Sequence, residues 1–321
     1  MTTEVEYAAA ALGDHAWLTR ALGEAARGRV STVEAFLHHV DPPRPIGSTL
    51  ATCRTHFVVC GPDGTARVDE LTRLLAAEVV DFCIPRSRIE EAAQAYSEYG
   101  STLAFGRLQD EARSLFTSLK NSGEGGELLL YMLLETVLRV PQVLCKMPLK
   151  TSEQMHVHGA DGVHALAKPD GGLALYWGES KLYANAADAV RECMSSIAGF
   201  LLDGPAARRR DMLLLRDHAS LEDPMLTAAL RAFFDEDDVR STKVEFRGAC
   251  LVGFDLDAYP DVRSGDQAVQ AQVQAAIEDW IGHIDRRVQA SELTGVQLEV
   301  FCVPFPSVAD FREAVGKALG V

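Results

Sequence analysis

The hydrophobic and polar positions change period several times along the chain, and each change predicts an element. Apolar positions recur at helical spacing through residues 5–40, in VEYAAAALGDHAWLTRALGEAARG and then TVEAFLHHV, and predict helices there. Asp41 to Ser48, DPPRPIGS, holds three prolines in eight residues and predicts a turn or linker. RTHFVVC (54–60) alternates as a strand, residues 68–82 return to helical spacing, and residues 89–120 predict helix broken near Gly100 to Gly106. GEGGELLLYMLLETVLRV is a strongly apolar helix that stops before Pro141, and QVLCKMPLK (142–150) is a short strand.

GADGVHALAK and LALYWGESK then read as two strands joined by Pro169-Asp170-Gly171-Gly172. Asn185 suits the cap of a following helix, with Asp188 three residues on as a capping-box analogue. That helix carries Ala189, Val190, Cys193, Met194, Ile197 and Leu201 as one stripe and stops at Gly204-Pro205. Strands at 244–254 and 296–305 flank a helix at 269–288, and a short C-terminal helix follows. This order is that of an α/β domain.

The hairpin poses a chemical question, because an apolar strand closes on Glu179 and Lys181, which point to the same face. The turn K-P-D-G-G favours a three-residue loop ending in a glycine bulge. Lys168 then faces Gly172, and counting back sets Asp161 opposite Glu179, about 5 Å apart at Cβ. The rest of that face is Val163, Ala165 and Ala167 against Leu173, Leu175 and Trp177, so two acids and a lysine end a core-facing stripe. Such joint violations of the inside-apolar rule are expected at functional sites. Two carboxylates this close repel unless a cation lies between them, and hard oxygen donors suit Mg²⁺, with Mn²⁺ as a substitute. The metal would activate water and stabilise charge on a scissile phosphate, assisted by the lysine ammonium.

The D…E-x-K pattern on this hairpin, preceded by a glutamate-bearing helix and followed by another helix, resembles the PD-(D/E)XK nuclease superfamily. The order helix, three strands, helix, strand covers about residues 120–255. Asp161 takes the aspartate position and Glu179 and Lys181 the E-x-K positions, while Ala160 stands where the superfamily often has proline. A more specific resemblance, over most of the chain, is to the HamA family, effector subunits of the Hachiman anti-phage defence system. VVDFCIPRSRIEEA, GEGGELLLYMLLETVL, KMPLKTSEQMHVHGADGVHA and LALYWGESKLYANAADAV carry it. The resemblance implies a restriction-endonuclease-like core, αβββαβ with a mixed sheet flanked by helices, over 121–321, after a mainly helical N-terminal extension over 1–120 that docks a partner or covers the site. It also implies nonspecific, metal-dependent DNA degradation and a HamB-like superfamily-2 helicase as partner. A regulatory subunit that keeps the fold without catalysis, and a ribonuclease on the same scaffold, are the alternatives.

On the apolar helix, Glu127 near its start is the expected fourth site residue, while Glu135, eight residues on, is expected at the far end or facing solvent. Lys146, Lys150 and His158, together with the run Arg208-Arg209-Arg210, are candidate DNA contacts, the run reading equally as a solvated loop. His156, His158 and His164 surround Asp161 without any nearby thiolate pair, which disfavours a zinc site.

Composition narrows the setting. No window approaches eighteen uncharged apolar residues, so no membrane span is expected. Seven scattered cysteines without a CxxC pair suit a reducing cytoplasm. The net charge of −15 argues against coating nucleic acid with the whole surface and leaves room only for a local basic cleft or a partner that brings the DNA.

Overall fold

The strands assemble into a single mixed sheet. In the computed structural model they are β1 (Leu37–Pro45), β2 (Ala51–Val58), β3 (Gln142–Leu144), β4 (Gly162–Ala167), β5 (Leu173–Tyr183), β6 (Val244–Asp255) and β7 (Leu298–Phe305). Their spatial order is β1-β2-β7-β6-β5-β4-β3. The structure describes residues 15–116, 123–144, 162–202, 205–219, 221 and 223–320, with the backbone alone at 41, 205–208, 210 and 211. The four strands β2, β7, β6 and β5 are mutually parallel, and an antiparallel neighbour pairs on at each side. Parallel strands covered on both faces explain why the runs at 244–254 and 296–305 are nearly continuous in apolar residues.

Helices cover both faces. One layer holds α1 (His15–Ala25), α8 (Ala186–Leu201), α9 (Pro205–His218), α10 (Pro224–Phe234) and α11 (Gln267–Ala290); its core includes Leu22, Val163, Trp177, Ile197, Phe233 and Ile284. The other holds α2 (Val30–Glu34), α3 (Val68–Ala77), α4 (Val79–Cys83), α5 (Arg86–Tyr99), α6 (Leu103–Ser114), α7 (Glu124–Thr136) and α12 (Val308–Leu319), around Leu75, Phe82, Leu129, Tyr176, Phe301 and Phe311. The α8 stripe is buried as expected, and Asn185 Oδ1 accepts from the Ala187 and Asp188 amides at 2.8 and 3.2 Å. Such a cap is worth about 1 kcal/mol. Asp188 pairs with Arg191 at 2.6 Å.

Two expectations fail in the N-terminal third. FLHHV and DPPRP do not end a helix and form a linker; from Leu37 to Pro45 they are edge strand β1. Leu37 and Val40 bury against opposite layers of the core, a period-2 demand that overrides the local helical pattern. The prolines are tolerated because, among the described residues, β1 has a partner on one side only, and the register breaks between Val40 and Arg44, around Pro42 and Pro43. Segment 1–120 therefore supplies β1 and β2 to the sheet, with Ala51 paired to Leu298 and Thr55 to Cys302. Helices α9 and α10 occupy 205–234, where the sequence pattern had assigned no element.

Among the described residues, no helix is long and apolar enough to cross a membrane.

Candidate active site

The hairpin closes as its turn chemistry demands. The Lys168 amide donates to Gly172 O at 2.8 Å and the Gly171 amide to Lys168 O at 3.0 Å. Gly171 takes φ +77°, a left-handed conformation that costs glycine nothing. The register runs from Ala167↔Leu173 to Gly162↔Gly178, the pairing counted from the sequence. Asp161, expected one step further opposite Glu179, lies outside the described residues.

Glu179 follows Leu173, Leu175 and Trp177 on the face that packs on α8 and is only 3% exposed. A carboxylate buried to that degree requires a charged or hydrogen-bonding partner. Lys181 provides one, its Nζ donating to Glu179 Oε1 while the side chain stays 30% exposed. The acid is thus held inside and the ammonium bridges it to solvent. Cys250 of β6 is the direct sheet neighbour of Glu179, and Cys193 Sγ of α8 donates to Glu179 O at 3.5 Å, so thiols floor this position. Burial and the neighbouring Cys250 push the Cys193 thiol well above its ordinary range, leaving it a neutral packing group.

Helix α7 crosses the opposite face, antiparallel to β5. A Cβ on Gly126 would lie 3.1 Å from Ser180 Oγ and 3.2 Å from Leu182, and a Cβ on Gly178 would lie 3.3 Å from Leu130. The glycines of GEGGE therefore serve close approach: Gly126 seats α7 on β5, while Gly125 seats it on Phe311 and Val315 of α12. Glu127, in the first turn, is level with residues 178–180 of β5 and 9% exposed. One turn later on the same side, Tyr131 meets His164 of β4 with ring centroids 6.1 Å apart. That side of α7 faces the β4 edge of the hairpin.

Glu135 does not face solvent. Every residue of α7 from Gly125 to Thr136 is buried, because the helix is enclosed between the sheet and the outer helices. The Glu135 carboxylate accepts from Arg86 Nη2 at 2.9 Å and from the Gln142 and Arg27 amides at 2.7 Å each. Burial raises its pKa against the opposing pull of Arg86. Eight residues at 1.5 Å rise set it about 12 Å along the helix from Glu127. It is a structural tie between α7, β3 and the segment after α1.

The remaining candidates divide. Lys146, Lys150, His156 and His158 lie outside the described residues. His164 is a core histidine, with Nδ1 against Val140 O at 2.9 Å and its pKa lowered to about 4 by burial. Arg208, Arg209 and Arg210 fall in the first half of α9 and not in a loop. Arg209 is exposed and already paired with Glu236.

Among the described residues no group of three or more His, Cys, Asp or Glu side chains is arranged to hold a metal. What the described site offers is two carboxylates, Glu127 and Glu179, at one level of β5 and on either side of the sheet. Their oxygens are the donor type that Mg²⁺ takes and zinc does not favour. Sequence reasoning had no signal for Arg312 of α12, whose Nη2 donates to Leu182 O at 2.6 Å, one residue beyond Lys181.

A family model described as HamA matches residues 34–319 of the 321-residue chain. No curated protein matches it.

Proposed function

The chain belongs to the HamA family, and from that premise we propose that it is a Mg²⁺-dependent deoxyribonuclease acting as the effector of the Hachiman anti-phage defence system. The observation that carries this reading is Glu179, an almost fully buried carboxylate bonded to Lys181 at the end of an otherwise apolar stripe. A structural ion pair gains little from such a position, since desolvation offsets most of its attraction. Two-residue spacing on a strand, with the acid inside and the base at the surface, suits a site that must order water beside a phosphate.

Glu179 and Asp161 would hold the Mg²⁺ at the β4 edge of β5, the edge that the Glu127 side of α7 also faces from across the sheet, so that Glu127 would complete the set there. The ion when bound supplies charge neutralisation at the scissile phosphate and an acidified water. Lys181 has three donors. The bond to Glu179 orients the ammonium, which would serve a water or a non-bridging phosphate oxygen. The buried surroundings of Glu179 keep bulk water away and strengthen each of these charge interactions.

The net charge of −15 fits a nuclease that receives its DNA from a partner carrying the basic track, and a HamB-like superfamily-2 helicase is the partner we propose. The test is degradation of plasmid DNA and of RNA by the full chain, with and without that helicase, in Mg²⁺ or Mn²⁺ and in EDTA. DNA loss that needs the metal and disappears in Glu179→Ala supports the reading. Undiminished cleavage by Glu179→Ala would remove it, and preferential loss of RNA would reassign the substrate.

A further inference from the structure

Arg312 occupies a corner of the fold that no site residue above accounts for. It projects from α12 between Phe311 and Val315, which touch Gly125 in the first turn of α7. Its Nη2 reaches the carbonyl of Leu182, a residue that itself packs on Gly126. The guanidinium is therefore wedged among α12, the N-terminal turn of α7 and the far half of β5.

The direction of that carbonyl fixes which side of β5 the arginine serves. The Lys168–Gly172 pair exchanges a backbone hydrogen bond at the turn. Antiparallel pairs alternate, so the even-numbered residues of β5 aim their N–H and C=O groups at the β4 side. Described pairing to β4 ends at Gly162↔Gly178, whereas β5 continues to Tyr183. Leu182 O lies on that flank beyond the end of the described ladder. Arg312 reaches it from the α7 face, while Lys181, the preceding residue, projects to the α8 face, so the two cations approach one edge of β5 from opposite sides of the sheet.

Its charge is unspent. Arg312 makes no ion pair among the described residues, and its Nε is buried without a hydrogen-bond partner. Partly buried arginines normally meet a carboxylate or another anion, because desolvating five donors without acceptors is costly.

We propose that Arg312 is a substrate-binding residue that takes a phosphate of the nucleic-acid backbone next to the one cleaved at Glu179 and Lys181. The ligand class is a phosphodiester, and the assignment rests on the nuclease reading above. The guanidinium presents a planar fork suited to two phosphate oxygens, with Nη2 already fixed in direction by Leu182 O.

The test compares full-length wild type, Arg312→Gln, Arg312→Lys and Glu179→Gln, each with the helicase present, on a linear duplex in Mg²⁺ at several salt concentrations. Arg312→Gln keeps a donor for Leu182 O but removes the charge. The expected result is a KM raised about tenfold or more with kcat less affected, and a salt slope reduced by about one, as for loss of one phosphate contact. Arg312→Lys restores most of the KM and the slope, and the melting temperature of both variants stays at the wild-type value. An unchanged KM and slope in Arg312→Gln, with Glu179→Gln inactive, overturns the role of Arg312 and leaves the nuclease reading standing. A lowered melting temperature with unchanged KM makes the residue structural and overturns it too. Cleavage by Glu179→Gln, or none by wild type, overturns the nuclease reading and this inference with it.

Discussion

Glu135 and Arg86 form an ion pair at 2.9 Å in which the side chains are 1% and 6% exposed. The pair ties α7 to α5 while Glu135 also takes two backbone amides, so the carboxylate has three donors and little water. Breaking one partner of such a pair strands the other charge in the interior, which costs about 3–5 kcal/mol. Glu135→Ala should lose that much in urea unfolding. The double variant Arg86→Met/Glu135→Leu should recover only part of it, since an apolar pair leaves no charge behind but still strands the buried Gln142 and Arg27 amides. A double variant as unstable as the single one would contradict this account.

Lys181 is the simplest probe of the chemistry. Lys181→Met keeps the length of the side chain and removes the ammonium beside Glu179. DNA degradation should fall by about 100-fold or more, the effect of losing one preorganised charged donor. Circular dichroism should show the same secondary structure as wild type. Protection of cells against phage should fall with the cleavage.

Gly178 and Gly162 oppose each other at the last described step of the hairpin, and Leu130 fills the space above. Gly178→Val inserts a side chain where even a Cβ would lie 3.3 Å from Leu130 and 3.4 Å from Gly162 O. Overpacking of this kind costs about 1–3 kcal/mol. The larger effect should be on cleavage, because α7 moves away from β5 and takes Glu127 with it. A melting curve and a cleavage assay on the same preparation separate the two.

Stability should fall on acidification in a way traceable to His164. Burial holds its folded pKa at about 4, against 6.5 for the ordinary side chain. Its neutral form therefore contributes no penalty above pH 6.5, and stability is lost as pH falls from 6.5 to about 4, while the unfolded chain takes up the proton and the folded chain does not. The loss attributable to this group is about 2 kcal/mol between pH 7 and pH 5. His164→Asn can retain the bond to Val140 O without titrating, and its unfolding free energy should drop less over that interval. Denaturation by urea at the two pH values measures the difference.

The hairpin was legible from the sequence because its determinants are local. K-P-D-G-G dictates the loop, the alternation dictates the face, and Glu179 and Lys181 follow by counting. The α8 stripe and its Asn185 cap are legible for the same reason. Glu135 misled because its partner, Arg86, lies 49 residues away and no local pattern links them. Prolines at 42, 43 and 45 imitate a linker until the single-sided pairing of β1 is known. Arg312 left no trace at all, since what makes it interesting is the carbonyl of a residue 130 positions earlier.

Strand β2 sits between β1 and β7, with Ala51 in register with Leu298. A ribosome emits β2 long before β7, so the early hairpin has no parallel partner until nearly the whole chain has been made. The sheet that carries Glu179 closes only when the final strand arrives. A prematurely terminated chain lacks the strand that joins β2 to β6, so the activity proposed for this sheet would be withheld until β7 has been made.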